Sequence, residues 1–96
     1  MNYEWDEAKS QANLEKHGFA FEDAEAVFKG DVITVADRRQ DYGEPRFASL
    51  GTLRGRVVFI AHTARAEKVR IISMRKANER EQKNYQERLA AHRCDE

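Results

Sequence analysis

Residues 57–76, VVFIAHTARAEKVRIISMRK, carry His62, Arg65, Arg70, Arg75 and Lys76 on two apolar, β-branched runs joined by a short polar link. Cations and an imidazole in one stretch suit phosphate chemistry. Metal-free cleavage of RNA needs a base for the 2′-hydroxyl, cations for the charge that builds on phosphorus, and an acid for the departing 5′-oxygen. Each residue also has a plainer reading. His62 could be a hydrogen-bonded histidine at a strand end, and Arg65 a solvated turn arginine. Arg75 precedes a helix, where an Asp or Glu bridge competes. Lys16-His17-Gly18 could simply end a helix, whose last carbonyls favour cations. Tyr85 reads as core.

Other chemistries lack their residues. There is no phosphate-cradling glycine loop, dinucleotide fingerprint or nucleophile elbow, so no nucleotide cofactor is expected. His17, His62 and His92 are far apart and no acids show ligand spacing, so no metal is expected either. The single cysteine, Cys94, forms no disulfide framework and reads as an exposed tail thiol.

The elements that must position these residues follow the chain. Residues 1–5 suit a short edge strand. Asp6 caps a helix that Gly18 ends, with Ala8, Ala12 and Leu14 as its apolar residues. A second helix over 21–28 buries Phe21, Ala24 and Phe28, and Gly30 ends it. A strand over 32–36 leads into a polar loop, 37–45, with Arg38, Arg39, Tyr42 and Gly43. A strand over 46–53, a turn at Arg54-Gly55 and the 57–76 hairpin complete a meander. Apolar residues at adjacent as well as alternate positions imply that the hairpin is covered on both faces. If Thr63 and Lys68 close its turn, Ala61 faces Arg70 and Val58 faces Ser73. His62, Ser73 and Arg75 then share one face and Arg70 takes the other, though one residue of slip reverses this. Asn78 and Glu81 have capping-box spacing for a last helix, with Tyr85 and Leu89 as its narrow apolar stripe. The fold class is α+β: an antiparallel sheet of about four strands, two N-terminal helices and one C-terminal helix, in one domain of 96 residues.

Charged residues are 35% and apolar ones 41%, which points to a globular protein and not a disordered chain. No apolar run is long enough to span a bilayer and no basic-then-apolar leader is present, so no membrane association and a cytoplasmic location are expected. The zero net charge hides an asymmetry. Residues 1–37 hold nine acids against three lysines, a net of −6, and residues 38–76 hold ten bases against three acids, a net of +7. The basic middle is either a phosphate footprint or a charge match for acidic helices.

Several ordered motifs resemble the BrnT family of type II toxins. They are Trp5-Asp6…Lys9…Asn13…Lys16-His17-Gly18, Phe21-Glu22-Asp23-Ala24 with Val27-Phe28, Arg46-Phe47…Gly51, His62-Thr63-Ala64-Arg65, and Arg70-Ile71-Ile72-Ser73-Met74-Arg75. The resemblance implies a RelE-like fold and a metal-independent endoribonuclease that cleaves RNA and halts translation. It implies a cognate BrnA-type antitoxin with a ribbon-helix-helix end, and promoter DNA bound only through the toxin–antitoxin complex. By matching positions, Arg65 and Arg75 would contact the phosphate and transition state. Arg46 is a further catalytic candidate, His62 a candidate base at a position where relatives often carry an aromatic residue, and Lys16, His17 and Arg70 are candidates for substrate binding. Two other readings remain open: a toxin that blocks a protein target such as gyrase, as ParE-like relatives of the fold do, and a subunit of a DNA-binding autorepressor.

Overall fold

The computed structural model describes residues 2–37 and 43–94, with the backbone alone over 92–94. Arg38, Arg39 and Tyr42 of the polar loop, and the side chains of His92 and Cys94, lie outside the described residues. The elements run β1 (Asn2–Glu4), α1 (Glu7–His17), a 3-10 turn (Phe21–Asp23), α2 (Ala24–Phe28), β2 (Ile33–Ala36), β3 (Phe47–Leu53), β4 (Arg56–Arg65), β5 (Lys68–Lys76) and α3 (Glu79–Cys94).

The sheet has five strands in the order β1-β5-β4-β3-β2, and it is mixed. This corrects the expected four-stranded antiparallel meander. β2 through β5 do form that meander, but the N-terminal edge strand joins it in parallel, pairing Asn2, Tyr3 and Glu4 with Lys68, Val69 and Arg70. Pairing between strands this far apart in the sequence leaves no local mark in it.

Beyond Arg70, no strand among the described residues lies beside the outer edge of β5, and α1 lies there instead. Asn13 Oδ1 accepts from Met74 N at 3.2 Å, while its Nδ2 donates to the Phe19 carbonyl at 2.7 Å. Ser10 Oγ accepts from Phe21 N at 2.9 Å. The buried side chains of α1 are therefore Ser10 and Asn13, whereas Ala8, Ala12 and Leu14, its apolar residues by sequence, are exposed. A helix packed on a strand edge meets backbone donors, and polar side chains answer them. The caps are as expected: Asp6 accepts from Ala8 N and Lys9 N, and Gly18 closes the helix at φ 81°. The second helix is shorter than the single 21–28 helix expected, because its first turn tightens to 3-10 geometry around Phe21.

Each sheet face carries a core. On one, Phe19, Phe21, Ala24 and Val27 pack against Leu53, Val58, Ile60, Ile71 and Met74. On the other, Tyr85 and Leu89 of α3 cover Leu50, Ile33, Val57 and Phe59. β4 is thus buried on both sides, as its apolar run implies. Gly51 is required by α2, since a Cβ there would stand 2.6 Å from Val27 Cγ1. The capping box of α3 is present: Asn78 Oδ1 accepts from Glu81 N at 2.8 Å and Glu81 Oε1 accepts from Asn78 N at 2.9 Å.

The hairpin register differs from the expected one. The turn is two residues, Ala66-Glu67, with φ of 47° and 69°, and Arg65 pairs with Lys68. The pairing shifts between Ala61 and His62, so that Ala61 faces Ser73, His62 faces Ile71 and Ile72 is the extra residue. The two-residue change in the turn keeps each side chain on its face, and the extra residue moves Ser73 and Arg75 to the other one. His62 now shares its face with Ile71 and Met74, while Thr63, Arg65, Arg70, Ser73 and Arg75 point to the α3 side. His62 and Arg75 are on opposite faces, not the same one.

Asn13→Ala would strand two backbone groups at the edge of β5. The expected loss is about 2–3 kcal/mol, read from urea unfolding midpoints, with the slope unchanged.

Candidate functional site

The site follows from the register at the β4–β5 turn. Arg65 closes β4 opposite Lys68, and Arg70 lies opposite Thr63. Arg46 stands one residue ahead of the Phe47–His62 pair, which brings it level with Thr63. The Thr63 hydroxyl donates to the Pro45 carbonyl and ties the incoming loop to β4. Two arginines of the hairpin and one from the segment leading into β3 thereby reach one end of the sheet.

Glu44 lies between two of them. Its Oε2 is 3.4 Å from Arg65 Nη2 and its Oε1 is 3.7 Å from Arg46 Nη2. A single carboxylate is shared by two guanidiniums, so an oxyanion of similar size is within reach of both. Arg70 Nη1 is 2.8 Å from Glu4 Oε2, which clamps the β1–β5 pairing on the same side. Glu44 was missed by the sequence reading. The available signal was its spacing from Arg46, since residues two apart in extended chain point the same way.

The other candidates lie elsewhere. Arg75 bonds Glu81 through both Nη atoms, at 2.7 and 2.8 Å, donates to the Lys76 carbonyl, and sits 4.1 Å from the centre of the Phe59 ring. These are the contacts of the competing bridge explanation. Arg75 faces Phe59, six residues along β4 from Arg65, or about 20 Å. Lys16 and His17 end α1 at the opposite end of the sheet. His17 lines a cleft there with Arg54 and Arg56 of the β3–β4 turn, about 30 Å along β4 from Arg65. The structure therefore gathers Arg46, Arg65 and Arg70, and separates them from Arg75 and from Lys16 and His17. Among the described residues, no three His, Cys, Asp or Glu side chains come together as metal ligands would.

His62 is on the far face from Arg65 and is 7% exposed. Its Nε2 is 2.7 Å from Ser49 Oγ, which is 2.7 Å from Thr34 Oγ1. Phe28 meets the ring edge-on with centroids 5.2 Å apart, and Phe47 stacks on it at 5.8 Å. Burial lowers its pKa from 6.5 to about 4, because the charged imidazolium would lose its hydration. Near neutral pH the ring is uncharged.

That shift has a measurable consequence. The unfolded chain takes up the proton near 6.5 and the folded protein only near 4, so the stability is whole above 6.5 and falls as the pH drops towards 4. The expected loss attributable to His62 is about 3 kcal/mol across that window. Unfolding midpoints of the protein and of His62→Phe, compared across the same range, should show a flatter dependence in the variant.

A family model described as ribonuclease toxin, BrnT, of type II toxin-antitoxin system matches residues 5–81. No individual curated protein matches the chain. The match begins at the residue before the α1 cap, spans the whole meander and ends at Glu81, the partner of Arg75. A toxin of such a system has an antitoxin as its partner. With most of its length covered by that match, the chain belongs to the BrnT family of ribonuclease toxins of type II toxin–antitoxin systems.

Proposed function

We propose that the protein is an endoribonuclease that cleaves RNA without a metal ion and so inhibits translation, with Arg46 and Arg65 as the phosphate-binding pair. The observation that carries this reading is their shared carboxylate: Glu44 occupies the place between them that a phosphate oxyanion would take. Family membership supports the ribonuclease activity. In this reading RNA enters with its scissile phosphate between the two guanidiniums, and Glu44 turns from them to the neighbouring ribose. Its carboxylate takes the 2′-hydroxyl proton as the 2′-oxygen bonds to phosphorus. The bond from phosphorus to the 5′-oxygen breaks, leaving a 2′,3′-cyclic phosphate, and the 5′-oxygen takes a proton from water. Arg46 and Arg65 neutralise the charge on the phosphorane oxygens. Arg70 adds a further positive charge on the same face.

His62, neutral and on the other face, has no part in this step, and Arg75 acts through α3, which it seats on the sheet. Lys16 and His17 are outside phosphate reach. The partner is a BrnA-type antitoxin with a ribbon-helix-helix end, promoter DNA is bound through the complex of the two, and the protein acts in the cytoplasm on a RelE-like scaffold. The family match supports the toxin–antitoxin setting for these statements.

Arg46→Ala and Arg65→Ala should each lower RNA cleavage in the presence of a chelator by about a hundredfold, and remove growth arrest on expression, while keeping the native circular dichroism spectrum. Arg75→Ala should instead lower stability by about 2 kcal/mol, through loss of its two-pronged bond to Glu81. Full toxicity in folded Arg46 and Arg65 variants would overturn the site. Loss of wild-type cleavage on chelation would overturn the metal-free chemistry, and inhibited DNA supercoiling without RNA cleavage would overturn the ribonuclease reading.

A further inference from the structure

Opposite the arginine face, Tyr3, Phe28, Val32, Thr34, His62 and Val69 line an open cavity of 470 Å³. Tyr3 of β1 and Phe28 at the end of α2 stack with centroids 5.7 Å apart and planes 16° from parallel. Both rings are only partly buried, so part of each remains available to a flat ligand. Thr34 and His62 give this apolar cavity two polar groups. Ser49 holds His62 Nε2, which fixes the ring and leaves Nδ1 with no partner among the described residues. The ring is neutral near physiological pH, so Nδ1 offers a directional hydrogen bond and not a charge.

We propose that this cavity is a nucleobase-binding subsite, taking a base of the same RNA strand whose phosphate Arg46 and Arg65 hold. The proposal rests on the ribonuclease reading of that phosphate site. Aromatic side chains receive bases because every base has a π face, and hydrogen bonds to its edge then discriminate between bases. Here Tyr3 and Phe28 supply the stacking surface, and Thr34 Oγ1 and His62 Nδ1 the edge contacts. The spacing along the chain agrees. His62 is three residues from Arg65 on β4, about 10 Å, and the one residue between them on the cavity's face is Ala64, small and exposed opposite Val69. The cavity and the arginines therefore lie on opposite faces of the same end of the sheet, so an RNA strand that bends over that end would place a base in the cavity and a phosphate farther along at the arginines. The sharing of work between the faces is explicit: the cationic side binds any strand, and the aromatic side reads it.

The test uses 2′-O-methyl RNA oligonucleotides, which bind but lack the attacking hydroxyl. Tyr3→Leu combined with Phe28→Leu keeps apolar volume and removes the π faces, and should weaken binding by about tenfold. An abasic residue at one position of the oligonucleotide should cost the native protein about the same factor, and cost the double variant nothing further. Thr34→Val, on the exposed edge strand, gives a second variant that should bind RNA but change the base preference of cleavage. If abasic oligonucleotides bind the native protein as tightly as intact ones at every position, and Thr34→Val cleaves with unchanged preference, the base subsite falls while the ribonuclease reading stands. If the native protein neither binds nor cleaves RNA, both fall. Unchanged RNA binding and cleavage in folded Tyr3/Phe28 variants, with weaker antitoxin binding, would assign the cavity to the antitoxin instead and overturn the proposal.

Discussion

β5 has hydrogen-bonding groups on two edges, and its hairpin partner can serve only one. The rest of the structure answers that requirement. β1 takes the first three positions of the outer edge, and α1 takes the next stretch by presenting Asn13 to the Met74 amide. A helix in that place has to bury polar side chains, and Ser10 and Asn13 are what it buries. The same side chains hold the chain leaving α1, through the Phe19 carbonyl and the Phe21 amide, and so aim Phe19 and Phe21 into the core. One open strand edge thus dictates the composition of α1, the direction of the turn after it and the seating of α2 on Gly51.

The charge asymmetry of the chain resolves along the same lines. Acids from the N-terminal third do meet bases from the middle: Glu4 with Arg70, and Asp23 with Arg54. The second pair is worth little, because the Arg54 side chain is 73% exposed and solvent screens it. Glu44 and Glu81, which hold Arg46, Arg65 and Arg75, come from outside that third. The charge-match reading therefore accounts for part of the pattern, Arg70 included, and leaves Arg46 and Arg65 around Glu44 to be explained by chemistry.

What was legible in the sequence was local. Asp6, Gly18 and the Asn78–Glu81 pair act within a turn of where they stand, and each does what its type and spacing imply. The hairpin itself was legible, but not its register. A two-residue turn with positive φ at both positions usually carries Asn or Gly, and Ala66-Glu67 does not advertise it. The extra residue at Ile72 leaves no mark at all, yet it decides that Arg75 lies on the face opposite His62. Arginine types could be picked out; their grouping could not, because it depends on that register and on Glu44 in a loop with no periodicity. β1 was visible as a short strand, while its partner β5 lay more than sixty residues on.

That last pairing has a consequence for synthesis. Glu4 and Arg70, which clamp β1 to β5, are 66 residues apart. Closing so long a loop costs entropy that only the finished contacts repay. A chain emerging from the ribosome cannot seat β1, or free α1 from exposing its buried polar side, until β5 has followed. The end of the sheet that gathers Arg46, Arg65 and Arg70 assembles only once β5 has been made, so the nascent chain carries no complete cationic face before that point.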